Sequence, residues 1–185
     1  MKTSLMFTAA TSLMLGACAS APPAPKAVVP AVSAAQAGTV NLASSSGSLV
    51  SGKLTLRPMG DGVHISGTVG GFTGNGQHGI HVHEKGDCTA VDASSAGGHF
   101  NPAATVHGRA GSGAHHAGDM DNLTADSQGV ARIDIHLQGV TLGGGAANDI
   151  AGRALVVHMA PDDYRSQPAG NSGARVACGI ITVVR

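Results

Sequence analysis

Ten histidines stand in a chain of 185 residues that carries only 11 acidic and 11 basic side chains, and their spacing suggests metal chemistry. In His81-Val82-His83 the two imidazoles are two residues apart, so a strand points both to one side and sends Ile80 and Val82 to the other. Alone, such a pair is more often a polar strand surface than half of a chelate. Further on come Gly98-His99-Phe100-Asn101-Pro102, then His107-Gly108, then His115-His116-Ala117-Gly118-Asp119. Three imidazoles and one carboxylate are a tetrahedral nitrogen-and-oxygen set that suits zinc. A tract that scavenges metal loosely is the alternative, but these histidines are dispersed through Gly and Pro turns that fix positions. His158 closes the apolar run Leu155-Val156-Val157, where a single histidine is usually a satisfied structural residue.

These side chains need elements to hold them. Glycine is abundant at 28, Trp is absent, and the apolar residues are mostly Val, Ile, Leu and Ala, the usage of short strands joined by tight turns. Strands are expected at 40–43, 49–57, 63–69, 79–84, 130–137, 154–158 and 176–184. In Lys53-Leu54-Thr55-Leu56-Arg57 and in 63–69 every second residue is apolar, the period of a strand with one wet face. Met59-Gly60-Asp61-Gly62 reads as the hairpin turn between them. The stretch 86–126 shows no sustained period, and a compact domain seldom carries so long a loop without a function. The length suits one domain. Balanced charge gives no basic footprint for nucleic acid.

The chain opens with Met1-Lys2, an apolar run from Leu5 to Leu15 and then small residues, the plan of a secretory signal peptide over 1–17. Leu15-Gly16-Ala17-Cys18 resembles the lipobox of bacterial lipoproteins, which implies lipidation of Cys18 and a membrane anchor of two or more acyl chains. Cleavage near Ala35-Gln36-Ala37 is the alternative, with Cys18 discarded. Ala19 in the next position resembles outer-membrane sorting, which implies a periplasmic, lipid-anchored protein of the bacterial cell envelope. Residues 18–38, with Pro22, Pro23, Pro25 and Pro30, read as a semi-extended tether. The folded domain is expected over 39–185.

Taken in order, Gly79-Ile80-His81-Val82-His83-Glu84, Gly98-His99-Phe100-Asn101-Pro102 with His107, His116-Ala117-Gly118-Asp119, Leu155-Val156-Val157-His158 and Arg175-Val176-Ala177-Cys178-Gly179 resemble the copper/zinc superoxide dismutase family, bacterial type. The resemblance implies an all-β fold, an eight-stranded antiparallel Greek-key barrel or sandwich with long metal-binding loops. It assigns copper to His81, His83, His99 and His158, and zinc to His99, His107, His116 and Asp119, with His99 shared as a bridging imidazolate. The spacing matches His116 to the family's ligand, while His115 stays open as an alternative. Asp162 is implied to join His81 to His107, His78 to brace the loop, and Arg175 to stand at the mouth of the copper channel and attract superoxide. With Cys18 lipidated, Cys88 and Cys178 remain as one disulfide of an exported protein, whose long loop contributes roughly 4 kcal/mol. The segment between His158 and Arg175 is shorter than in the animal enzymes, so steering charges there do not carry over. Lys85, Arg109 and Arg165 are weaker candidates for that role.

Four imidazoles around one ion favour Cu(II), and the set containing a carboxylate favours zinc. The implied function is dismutation of superoxide to oxygen and hydrogen peroxide, with a homodimer as a possible assembly. A copper and zinc buffer or chaperone on the same fold is the alternative, although no copper ligand or Arg175 is missing. A zinc hydrolase would need an open coordination position and a general base, and the chain has no His-Glu-x-x-His motif.

Overall fold

The computed structural model describes residues 32–184. They form ten strand segments and one short 3-10 turn: β1 (Ala37–Ser44), β2 (Ser51–Met59), β3 (Gly62–Gly70), β4 (Gly76–His78), β5 (Ile80–His83), the turn Ser94–Ala96, β6 (Leu123–Ala125), β7 (Val130–Gln138), β8 (Ala154–His158), β9 (Arg175–Ile180) and β10 (Thr182–Val184). Gly79 alone separates β4 from β5, and Ile181 alone separates β9 from β10. Counted as continuous runs, the ten segments are eight strands, the number that the family resemblance implies. All strand pairings are antiparallel. The order β4-β6-β7-β3-β2-β1-β9-β8-β5 begins and ends on the two halves of one run, so the sheet closes through the backbone at Gly79. The β3–β7 and β1–β9 neighbours are the non-sequential contacts of a Greek key.

The alternation seen in the sequence becomes the two faces of this barrel. Leu54 and Leu56 of β2, Val63 and Ile65 of β3, Ile80 and Val82 of β5, and Leu155 and Val157 of β8 belong to one buried core. The hairpin between β2 and β3 turns through Gly60 and Asp61 with Met59 opposite Gly62, and Gly60 has a φ of 58°, which glycine adopts at little steric cost.

Two short segments, β4 and β6, lie outside the strands expected. Three residues are too few to show a period, and they are strands because they pair with each other at Gly76↔Ala125 and His78↔Leu123 and β6 pairs with β7 at Ala125↔Ala131. The folded unit also begins before Thr39. The amides of Ala34 and Ala35 donate to the Leu142 carbonyl at 3.1 and 3.0 Å, and Ala35 joins the core. Small side chains let the end of the Ala-rich stretch lie flat on Gly143 and Gly144.

β8 is buried on both faces, because a loop covers its outer side. Ala154 and Val156 alternate with the core residues and join Ala93, Ala96 and Cys178 in a second apolar cluster, with Cys88 packed against it. Cys88 and Cys178 are disulfide-bonded, 90 residues apart in sequence with Cα atoms 5.8 Å apart. The bond staples the loop 86–96 onto the outer face of β8 and β9, which is the face that His81, His83 and His158 share.

Candidate metal centre

β5 and β8 carry three of the histidines by register alone. Ile80 faces Val157 and His81 faces Val156. The register between β8 and β9 shifts between Val157 and His158, where Val176 of β9 is the extra residue, and the His158 amide donates to the Gly79 carbonyl at 2.8 Å. His99 comes from the loop. Residues 98–100 run beside β5 as an irregular strand, with the Glu84 amide on the Gly98 carbonyl and the Phe100 amide on the Val82 carbonyl at 2.9 and 2.8 Å. His83 and His99 form an isolated bridge. Phe100 is buried, with the Arg153 guanidinium 3.7 Å above its ring.

The second group sits wholly on the loop. The turn His116–Asp119 closes with the Asp119 amide on the His116 carbonyl at 3.1 Å, and Asp119 Oδ2 accepts from the His116 and Gly108 amides at 2.8 and 3.2 Å. Gly118 is pressed so close to β5 that a Cβ would collide with the Val82 carbonyl oxygen. His116 turns inward, whereas His115 turns away and donates from Nδ1 to the His116 carbonyl at 2.8 Å.

The result is two buried sets of potential ligand atoms: His81, His83, His99 and His158, and His99, His107, His116 and Asp119, the atoms of each set within 4.8 Å of one another. His99 belongs to both. Its ring stacks on His81 at 3.9 Å and lies 5.3 and 5.5 Å from His107 and His116.

The outward nitrogens of four rings settle which nitrogen is free. His81 Nε2–H donates to Asp162 Oδ2 at 2.7 Å and His107 Nε2–H donates to Asp162 Oδ1 at 2.9 Å. His83 Nδ1–H donates to the Gly97 carbonyl at 2.9 Å, and His158 Nδ1–H to the Gly173 carbonyl at 3.4 Å. Carbonyls and carboxylates only accept, so the proton is on those nitrogens and the inward ones keep their lone pairs. His81 Nδ1, His83 Nε2, His99 Nε2, His158 Nε2, His107 Nδ1 and His116 Nδ1 are buried with no hydrogen-bond partner.

An unmet buried polar atom costs about 1–3 kcal/mol, and six of them together would rival the roughly 5–15 kcal/mol that holds a whole domain folded. Six lone pairs converging in a dry site therefore fit metal ions. His107 Nδ1 and His116 Nδ1 approach Asp119 to 3.1 and 3.3 Å yet miss hydrogen-bond geometry, as ligands of one ion do. The donor types also fit two different metals, with four imidazoles in one set and a carboxylate in the other.

Burial holds the rings of His81, His83 and His158 neutral. It pushes the His158 imidazole down to about 4, and burial, aided by the neighbouring His99, holds His81 and His83 well below the ordinary imidazole range. Burial alone would raise the Asp119 carboxyl, but hydrogen bonds from His99 and the His116 amide, with the nearby imidazoles, hold it far below the usual carboxylate range.

Arg175 reaches back over the loop, donating from Nη1 to the Ala93 carbonyl at 2.7 Å and from Nη2 to the Gly97 carbonyl at 2.6 Å. Gly97 thus holds the Arg175 fork and the His83 ring at one oxygen. Arg175, His158, Gln167, Pro168 and Gly173 line a cleft of about 230 Å³. Arg109 is occupied by Asp121 at 2.8 Å and by the Tyr164 ring, and neither it nor Lys85 or Arg165 lines that cleft. His78 stacks on Phe72 at 4.2 Å and contacts the His158 carbonyl. Cys18 lies outside the described residues.

The sequence reading missed the main-chain carbonyls of Ala93, Gly97 and Gly173, which no residue type marks. It also missed Asn122 and Gln167, whose amides touch the site through backbone atoms only.

The family model of copper/zinc superoxide dismutase matches residues 50–181. The chain is 42% identical over 135 residues to Superoxide dismutase (Cu-Zn) 2 of Aquifex aeolicus, covering 71% of this chain and 79% of the relative. It is also 42% identical over 135 residues to the Cu-Zn superoxide dismutase of Caulobacter vibrioides, covering 70% and 77%. Among solved structures, a double mutant of a SOD-like protein from Bacillus subtilis superposes with a TM-score of 0.71 at 34% identity, over 78% of this chain and 96% of that one. With paired sets of ligand atoms joined at one imidazole on an antiparallel barrel, the chain belongs to the copper/zinc superoxide dismutase family.

Proposed function

We propose that the protein dismutes superoxide, with copper held by His81 Nδ1, His83 Nε2, His99 Nε2 and His158 Nε2, and zinc held by His99 Nδ1, His107 Nδ1, His116 Nδ1 and the Asp119 carboxylate. The observation that carries this reading is the shared ring of His99, the one residue present in both sets. When bound, copper supplies one-electron redox chemistry between Cu(II) and Cu(I), and zinc, which has none, fixes the ring they share. The net change is two superoxide ions and two protons to one oxygen and one hydrogen peroxide.

The chain supplies the rest. Asp162 orients His81 and His107 together, an outer contact of the kind that fixes tautomer and basicity. His99 Nε2 is the atom that takes up a proton and gives it back in the cycle. Arg175, held in place by two carbonyls, presents a fixed positive charge beside the cleft and draws the anion in. The chain is formally neutral, so attraction rests on this local charge.

The same reading has the protein exported and anchored through lipid on Cys18, in the periplasm at the outer membrane, with 1–17 removed and the intervening residues as tether. Mass spectrometry of the mature N-terminal peptide tests the anchor, and sedimentation of the purified protein tests a homodimer. The activity test is metal content together with dismutation by the copper- and zinc-loaded protein. One copper and one zinc per chain with fast dismutation is expected. Stoichiometric copper without dismutation would mean a metal buffer.

A further inference from the structure

Two side-chain amides stitch the metal loop to the cleft loop, and each grips a backbone at both its donor and its acceptor. Gln167 Oε1 accepts from the His107 amide at 2.9 Å, and Gln167 Nε2 donates to the His107 carbonyl at 2.9 Å. In the reverse sense, Asn122 Oδ1 accepts from the Asp162 amide at 2.8 Å, and Asn122 Nδ2 donates to the Asp162 carbonyl at 2.9 Å. The two gripped residues then meet, His107 Nε2–H on Asp162 Oδ1. A primary amide that hydrogen-bonds both the N–H and the C=O of one residue fixes that residue's position and its orientation, where a single bond would leave rotation about the contact.

We propose that Gln167 and Asn122 are positioning residues for the metal centre, Gln167 for zinc alone and Asn122 for both metals. This rests on the assignment of copper and zinc above. Of the metal ligands Gln167 grips His107 alone, a zinc ligand, and its Nε2 also donates to the Arg165 carbonyl of its own loop at 3.2 Å. Asn122 grips Asp162, whose carboxylate holds His107 through Oδ1 and His81, a copper ligand, through Oδ2. Gln167 also lines the cleft beside His158 and Arg175, so the wall that superoxide passes is tied to the zinc half of the site. Zinc binding and the set of that wall are coupled through one side chain.

The test uses the full disulfide-bonded protein and reads metal affinity by chelator competition, separately for zinc and copper. Outer contacts to metal ligands are typically worth about 10–100-fold in affinity. Gln167→Met keeps the volume and removes both hydrogen bonds, and it is expected to weaken zinc about tenfold while copper stays within about twofold. Asn122→Ala is expected to weaken both metals by about tenfold. Hydrogen exchange of the His107 and Asp162 amides, which needs no metal, is expected to speed up in the matching variant only. Wild-type affinities in both variants, or equal weakening of both metals by Gln167→Met, overturn the proposal. If Asn122→Ala fails to fold, Asn122→Asp, which keeps the acceptor and loses the donor, takes its place. Wild-type protein that binds no zinc would overturn the metal assignment instead, and the amide exchange alone would then decide whether the clamps exist.

Discussion

The two halves of the centre are built by different means. The set on His81, His83 and His158 is strand-borne: the β5–β8 register places the rings, and the apolar residues between them sit in the core. The set on His107, His116 and Asp119 is loop-borne: a four-residue turn, amides gripping a carboxylate and close glycines place it. Strand ligands inherit their geometry from the barrel, so their loss should leave the fold intact. Loop ligands hold their own loop together, so damage there spreads to the chain around them.

The largest effect expected is from His158→Ala. It removes a ligand outside the zinc set and should abolish dismutation, while zinc stays bound and the fold stays cooperative. Metal analysis and thermal unfolding check this. If the variant lost zinc and unfolded, the separation of the two halves would be wrong.

Gly170→Ala strikes the loop half. Gly170 has a φ of 65°, and a Cβ there would collide with Asp162 Oδ1 and lie 2.8 Å from His107 Nε2. The left-handed backbone alone costs roughly 1–2 kcal/mol with a side chain present. Zinc affinity should fall by about 10–100-fold, measured by chelator competition, with thermal stability falling alongside it. A variant that bound zinc normally would show that Asp162 has room to move.

Arg175 shares a support with the strand half, since Gly97 accepts from both His83 and Arg175. Electrostatic steering changes association by about 10–1,000-fold, and superoxide dismutase is itself a known example of it. Arg175→Gln should lower kcat/KM about tenfold and flatten its dependence on salt. Arg175→Lys keeps the charge but not the fork and should keep the salt dependence. Equal losses in both variants would assign Arg175 to bracing the loop instead.

Strand-borne features were legible in the sequence because a period of two survives in the letters. His81 and His83 alternate with Ile80 and Val82, and the structure has them on opposite faces of β5. The loop was legible only as a stretch without a period. β6 has three residues and no pattern of its own, and the carbonyls of Ala93, Gly97 and Gly173 have no signature in residue type. Asn122 and Gln167 look like ordinary polar loop residues, because their role lies in contacts across 40 and 60 residues of chain. Residue types announced the metals, and the chain's return on itself decided what holds their ligands.

The smallest effect separates the halves by proton binding in the metal-free protein. Burial holds His81, His83 and His158 below the ordinary imidazole value of 6.5, His158 at about 4, and no carboxylate belongs to their set. Between about pH 4 and 6.5 the unfolded chain therefore binds more protons than the folded one, so stability rises with pH there and is lost on acidification. Asp119 is held below its ordinary 3.8, so its contribution is present above that value and is lost only in stronger acid. Burial also holds the loop ring of His116 below its ordinary value, though less far than His81 and His83, so acid should weaken the strand half more than the loop half. Urea unfolding of the metal-free protein should show a midpoint that already falls between pH 7.5 and 5, and less so in His158→Ala. A midpoint that stays level down to pH 4 would mean the strand rings are hydrated in the absence of metal, and the dry strand half described here would not exist without its ion.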